Sequence, residues 1–339
     1  MYLCLMIFVT GGTGLVGSHI LLKLAQEGRV FKAFKRSSSS LVVCENVFSH
    51  YKASDLFTAI NWVDGDVNDI PSLESAMANC DYVLHVAAVV SFHAADAELM
   101  HKVNVEGTEN VVNVALSSGI KKLGYVSSIA ALGRNSTVGV VDEKCSFKAT
   151  KHDSNYALSK YYAEQEVWRA SQEGLEVVIV NPSVILGPGD WTKGSSQIFQ
   201  KIYKGLKFYT TGSTGYVDVV DVANSLIALL FSEVKNERFI VNGANLAYRD
   251  CFDRIAVGFN KPKATIKVTP LLKEIAWRAD ALRTFFTAKK PLLTKETANS
   301  AMTNSEYTTA KIEKEIAFQF TPIEQTIKKY CDWFIADLK

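Results

Sequence analysis

The chain has 339 residues, 48% of them hydrophobic, with 18 Phe, 13 Tyr and 5 Trp, which excludes disorder as the main state and suffices for one large domain or two intimate ones. The formal net charge is +2, from 37 basic and 35 acidic residues, so nothing in the balance argues for a nucleic-acid partner. The six cysteines (Cys4, Cys44, Cys80, Cys145, Cys251 and Cys331) form no CxxC pair, and no metal site is expected. Scattered single thiols fit a reducing cytosol, so a cytoplasmic location is expected.

The chain opens MYLCLMIFVTGG. The apolar run Leu3 to Val9 is about seven residues, far below the ~20 that span a bilayer, and stable membrane insertion is not expected. A basic n-region and an A-x-A cleavage site are both lacking, so the run reads as a buried strand. The start codon reads as Met1 or Met6.

Short β-branched runs then alternate with amphipathic stretches. Strands are predicted at Leu5–Val9, Val30–Phe34, Asn61–Val63, Tyr82–Val86, Lys122–Ser127 and Glu176–Asn181. Helices are predicted near Leu15–Glu27, Ser72–Ala78, Ala97–Ser117 and Asn155–Ser171. This order predicts βαβ units and a doubly wound parallel sheet of the α/β Rossmann class. The runs Ile7–Val9 and Val177–Val180 are apolar at every position, as central parallel strands require. Beyond Pro182 the pattern loosens. A helix is predicted at Val217–Phe231 and a strand at Glu237–Val241, followed by helical patterns at Tyr248–Val257, Leu271–Phe286, Lys295–Ala301 and Pro322–Leu338. The expected division is a dinucleotide-binding domain over 1–182, to which 217–245 returns, and a smaller, mostly helical substrate domain from 183–216 and 246–339. Ser37–Ser40 is the one low-complexity stretch and reads as a mobile loop.

The strongest motif is V-T-G-G-T-G-L-V-G, Val9 to Gly17, between an apolar strand and an amphipathic helix. Gly11 suits the tight turn, Gly14 the approach of backbone to a pyrophosphate, and Gly17 close packing of helix on strand. Thr13, Leu15 and Val16 complete the loop at a helix N-terminus, whose free N–H groups attract anions. A glycine turn without a ligand is the competing reading. About 20 residues on, an NAD site carries an acid for the ribose 2′-OH, whereas a cation suits a 2′-phosphate. Here Lys35, Arg36 and Ser37 stand there, with no acid from Arg29 to Val43, so NADP(H) is expected over NAD(H). Asp66 and Val67, after the third strand, are candidates for the adenine. Ala87 and Ala88, after the fourth, leave room for cofactor backbone contact. His85 reads as a packed strand residue.

Ser127 and Ser128 end the fifth strand at the edge where open α/β sheets bind ligands. Tyr156 and Lys160 lie four apart on a helix with Asp153 or Ser154 as N-cap, and so share a face. A nearby ammonium lowers a phenol's pKa, which makes Tyr156 a candidate general acid or base on a carbonyl or hydroxyl. Ser128 then hydrogen-bonds the same oxygen, and Lys160 also holds the nicotinamide ribose. Alone, Y-x-x-x-K is a common pattern on surface helices.

Together these residues resemble the extended short-chain dehydrogenase/reductase family of the NAD-dependent epimerase/dehydratase type. The matches run in family order: T-G-G-T-G-L-V-G, D-G-D-V, H-V-A-A, N-V-E-G-T-E-N-V-V from Asn104, S-S, Y-A-L-S-K, N-P-S-V-I-L-G-P-G and Y-V-D-V-V-D-V-A. The resemblance covers about 1–245. It implies Ser128, Tyr156 and Lys160 as the catalytic set, Asn104 as a fourth residue near them, and Pro182, Ser183 and Val184 against the nicotinamide carboxamide. It also implies a homodimer through the helices carrying Asn104 and Tyr156, with the monomer frequent in the reductase branch as the alternative. Nucleotide-sugar members typically show N-x-Y-G-P and R-D-[FY]-[VI]-H-V, and the tyrosine and arginine of those patterns are missing here. Lys35/Arg36, H-V-A-A-V-V-S-F and Y-V-S-S are similar to the dihydroflavonol-reductase-like branch. The expected activity is NADPH-dependent reduction of a ketone or aldehyde. The alternative is a nucleotide-sugar epimerase or dehydratase with bound NAD. Val90, Phe92, Trp191 and Tyr209 are the candidate substrate contacts, with packing as the competing reading for the last two. The stretch Ala281–Leu293 reads as a lid or packing helix rather than a membrane contact.

Overall fold

In the computed structural model the residues described are 5–133, 139–150, 153–287 and 295–338, without the side chains at 276, 281, 282, 285–287 and 295–297. Met1 of the two candidate starts, residues 288–293 and the side chains of Phe285 and Phe286 lie outside the described residues.

Ile7–Val9 and Val177–Val180 are fully buried at every position, the signature of parallel strands covered on both faces. They belong to β1 (Met6–Thr10) and β6 (Glu176–Pro182). Between them come β2 (Val30–Lys35), β3 (Trp62–Asp64), β4 (Tyr82–His85) and β5 (Lys122–Val126), and after them β7 (Glu237–Val241). All seven pair in parallel in the order β7-β6-β5-β4-β1-β2-β3. The order reverses between β1 and β4, which opens a crevice at their C-terminal ends.

The helices that position the site are α1 (Leu15–Gln26), α2 (Gly107–Ser117), α3 (Asn155–Gln172) and α4 (Val219–Leu230). Helices α1 and α4 bury Ile20, Leu21, Val222 and Leu226 on one face of the sheet. Helices α2 and α3 bury Val111, Ala115, Ala163 and Val167 on the other. A third apolar cluster joins Leu186, Phe199, Tyr216, Ile255 and Phe259 to Tyr330 and Phe334 of the C-terminal helix α5 (Ile323–Asp337). No helix among the described residues is long and apolar enough to cross a membrane.

The structure departs from the sequence pattern at several places, including helices at Gln197–Tyr203 and Ala310–Ile316. Helices at Val42–His50 and Ser54–Thr58 follow the serine run and were not expected. Cys44, Val47 and Phe48 of the first are buried, so tertiary contact rather than propensity holds it. The expected helix Ala97–Ser117 is interrupted by a π-helical turn, His101–Glu106, before α2 begins. Val217 and Asp218 are strand rather than helix: Ser213–Asp218 pairs in parallel with Val184–Leu186, and Asp218 caps α4 by accepting from Val220 N at 2.8 Å.

Candidate active site

The first wall is the turn between β1 and α1. Gly11 has φ +74°, and a Cβ there would lie 2.6 Å from Ala87 N, so the turn rests against the end of β4. A Cβ on Gly17 would lie 2.0 Å from the Gly11 carbonyl oxygen. Gly14 is the N-cap of α1 and supplies no side-chain cap, and no acid stands in the first turn. Its space is open, with only the Gly11 oxygen within 4 Å of an added Cβ, at 3.5 Å. An uncapped helix start beside an open glycine suits an anion. The residues present therefore fit a dinucleotide's pyrophosphate. Thr13 is half-buried, and Leu15 and Val16 pack against the third apolar cluster.

The second wall is the end of β2. Lys35 Nζ lies 2.5 Å from Asp64 Oδ1, and the lysine side chain is mostly covered. Arg36 and Ser37 are exposed, and Arg36 makes no ion pair among the described residues. Of the two cations expected at a 2′-phosphate, Arg36 is the one without a competing carboxylate. Asp66 Oδ1 accepts from Asn68 N at 2.9 Å, and Val67 is buried against the place where a Gly107 Cβ would stand. Ala87 is half-buried and Ala88 exposed at the end of β4.

The third wall joins β5 to α3. Ser154 is the N-cap of α3, accepting from Ala157 N at 3.0 Å. That starts the helix so that Tyr156 and Lys160 fall on its sheet-facing side. Ser128 is 9% exposed, and its hydroxyl accepts from Ala130 N at 3.1 Å. Burial pushes the Tyr156 phenol above its ordinary value, and the neighbouring Ser128 hydroxyl opposes this. The expected ammonium beside Tyr156 is not found. Lys160 reaches past it to β5 and donates to the Tyr125 hydroxyl at 2.9 Å and the Val126 carbonyl at 2.8 Å. Burial lowers Lys160 to about 7, with Glu164 one turn away opposing.

Tyr125 was not singled out in the sequence. It packs against a buried chain of groups whose hydrogen-bond directions are forced. Thr108 Oγ1 donates to the Asn104 carbonyl at 2.6 Å, which uses its one proton. It must therefore accept from His85 Nε2 at 2.9 Å, and the His85 ring stacks on Tyr125 at 5.5 Å between centroids. His85 Nδ1 then accepts from Thr10 Oγ1 at 2.7 Å, and Thr10 accepts from the backbone N–H groups of Val86 and Ala87. Burial lowers His85 to about 3, so it stays neutral. It is packed in the strand, as expected. A second buried group sits behind the site: Glu164 accepts from Ser127 at 2.5 Å, Asn181 at 2.8 Å and Arg238 at 2.9 Å.

The remaining candidates divide. Phe92 meets the Tyr156 ring at 5.7 Å between centroids, and Val90 is exposed beside it. Asn104 lies in the π-helical turn with its amide fully used: it bonds Val89 N at 2.7 Å, Val89 O at 2.9 Å and Ser159 Oγ at 3.0 Å. It clamps the loop that carries Phe92 to α3 and makes no direct bond to Tyr156. Pro182 ends β6, Val184 is half-buried, and the Ser183 hydroxyl is buried without a protein partner. Trp191 is a correction. Its indole donates to Asp337 at 2.7 Å and packs on Phe199 and Phe334, so it holds α5 rather than lining the site. Tyr209 lies under the Arg249 guanidinium at 4.2 Å, on an outer ribbon, and does not meet the Tyr156 ring.

A family model described as the NAD dependent epimerase/dehydratase family matches residues 7–242. The chain belongs to that family. A protein of Synechocystis sp. (strain ATCC 27184 / PCC 6803 / Kazusa), provisionally named a dihydroflavonol 4-reductase, is 30% identical over 96% of this chain and 94% of its own. The UDP-glucose 4-epimerase of Vibrio cholerae is 26% identical over 76% of each chain. The crystal structure of gox2253 superposes with a TM-score of 0.81 at 28% identity, covering 98% of both chains. This epimerase/dehydratase-family chain is therefore an NAD(P)-dependent enzyme acting on alcohol or carbonyl groups.

Proposed function

We propose that the protein is an NADPH-dependent reductase of a ketone or aldehyde, with segments 183–216 and 246–339 forming the substrate side. The observation that carries this reading is the juxtaposition of the Ser128 hydroxyl and the buried Tyr156 phenol at the edge of β5, together with the uncapped glycine turn after β1. Gly11, Gly14 and the start of α1 would hold the pyrophosphate, Arg36 the 2′-phosphate, and Lys160 the nicotinamide ribose. When bound, NADPH supplies the hydride. Tyr156 delivers a proton to the carbonyl oxygen, and Ser128 hydrogen-bonds that oxygen. The high pKa of the buried phenol keeps Tyr156 protonated, as a general acid in the reducing direction requires. Phe92 covers the Tyr156 ring and supports an apolar substrate.

The exposed, unpaired Arg36 supports NADPH over NADH. The test is a side-by-side fluorescence titration with both cofactors, followed by a panel of aldehydes and ketones. NADPH binding at least about tenfold tighter, with turnover lost in Tyr156→Phe, bears the reading out. NADH binding as well or better, with NAD co-purifying and activity on nucleotide sugars, replaces it with the epimerase reading.

A further inference from the structure

We propose that the outer ribbon of the C-terminal part is a docking surface for an anionic lipid bilayer. Two segments distant in sequence meet there, residues 201–209 and 261–267. Together they carry six Lys and no Asp or Glu, in a chain whose net charge is only +2. Strand Phe208–Tyr209 pairs in parallel with Ile266–Lys267, and Lys261 Nζ lies 4.7 Å from the Tyr203 ring centroid, so the two segments form one surface.

That surface is also apolar where it should be covered. Phe208 and Ile266 are cross-strand partners on one side of the ribbon and are 47% and 42% exposed. Three residues after Lys267 the helix Pro270–Thr287 begins, with Leu271 and Ile275 one turn apart at 72% and 55% exposure. Lys204, Lys207, Lys263 and Lys267 flank the apolar pair, are exposed, and make no ion pair among the described residues.

Isolated exposed apolar residues need no explanation, but apolar side chains rimmed by unpaired lysines match a bilayer's interface. The side chains enter the acyl boundary, and the ammonium groups meet anionic headgroups. A second copy of this chain is disfavoured as the occupant, because its lysines would face these. Tyr209 points to the other side of the ribbon, under Arg249, so the surface does not use the proposed reaction site.

The test is co-sedimentation of the full chain with phosphatidylcholine vesicles, with and without phosphatidylserine. Binding is expected only with phosphatidylserine, and it should weaken steeply with salt. Lys204→Ala/Lys207→Ala/Lys263→Ala/Lys267→Ala should lower the partition coefficient by more than about tenfold. Phe208→Ser/Ile266→Ser should weaken binding without changing its salt dependence. Unchanged NADPH titrations in both variants show that the chain remains folded. No co-sedimentation, or co-sedimentation unaltered by the lysine substitutions, overturns the proposal. Equal affinity of the native and Phe208→Ser/Ile266→Ser proteins for heparin, without vesicle binding, assigns the patch to a soluble polyanion instead.

Discussion

The Lys160 ammonium donates to the Tyr125 hydroxyl, 2.9 Å away on the neighbouring strand. The same ammonium donates to the Val126 carbonyl at 2.8 Å, so its charge is held between these two oxygens. Tyr125 thus fixes where the buried charge of Lys160 sits.

Tyr125→Phe removes that acceptor while keeping the ring in its place. Losing one hydrogen bond to a charged group costs about 1.5–3 kcal/mol. With the acceptor gone, the charged lysine is less favoured, so its pKa falls further below about 7. On the proposed reading, the alkaline limb of the kcat profile moves to lower pH and kcat falls about tenfold, while the thermal midpoint falls by a few degrees. An unshifted limb would reduce Tyr125 to a packing residue.

Arg36→Asp should reverse cofactor preference. A charge-assisted contact to the 2′-phosphate contributes about 1–3 kcal/mol, and a carboxylate there would instead accept from a 2′-OH. Isothermal titration with NADPH and NADH reads both effects. Lys35→Ala should do less, because Asp64 already engages that ammonium.

Tyr156→Phe should lower kcat by about 10²–10⁴-fold, the usual contribution of a positioned acid. Cofactor affinity should stay within about twofold, since the lost hydroxyl lies beside Ser128 and not at the glycine turn. Single-turnover hydride transfer, followed by nicotinamide absorbance, separates the two.

Two buried histidines should set the acid sensitivity of the fold. Burial lowers His19 to about 4 and His85 to about 3, from an ordinary 6.5. A depressed folded-state pKa gives stability that is present above 6.5 and is lost as pH falls toward those values. Each histidine contributes a loss of about 2 kcal/mol between pH 7 and pH 5. Asp221, raised to about 6 by burial, works the other way and gains stability as pH falls. Urea unfolding of the native protein and of His85→Gln at both pH values isolates one term: the drop should shrink by about 2 kcal/mol in the variant. An equal drop in both proteins would mean that His85 does not carry it.

Gly17→Ala should destroy the turn. Its added methyl would stand 2.0 Å from the Gly11 oxygen, which the neighbouring backbone cannot relieve without moving the helix. The cost should exceed about 2 kcal/mol, and cofactor binding should be lost. A calorimetric melt with and without NADPH checks both, because ligand stabilisation should vanish along with the lowered midpoint.

Much of the scaffold was legible in the residues themselves. The strand Glu237–Val241 and the burial of Ile7–Val9 follow from runs of β-branched and aromatic residues. The cap at Ser154 follows from local hydrogen-bond chemistry. The helix Val42–His50 was missed because its buried positions carry meaning only against α1, which lies elsewhere in the chain. Val217 and Asp218 look helical by sequence and are strand because Ile185 and Leu186 pair with them.

The same division runs through the site. The glycine spacing, the absence of an acid after β2 and the four-residue step from Tyr156 to Lys160 are properties of neighbouring residues, and the sequence alone determined them. Whether Lys160 bonds Tyr156 or Tyr125, whether Trp191 faces a substrate or Asp337, and whether two lysine-rich segments share a surface depend on elements 30 to 150 residues apart. Only the tertiary structure decided those, because burial and non-local partners, rather than residue type, set the direction in which a side chain's hydrogen bonds and charge are used.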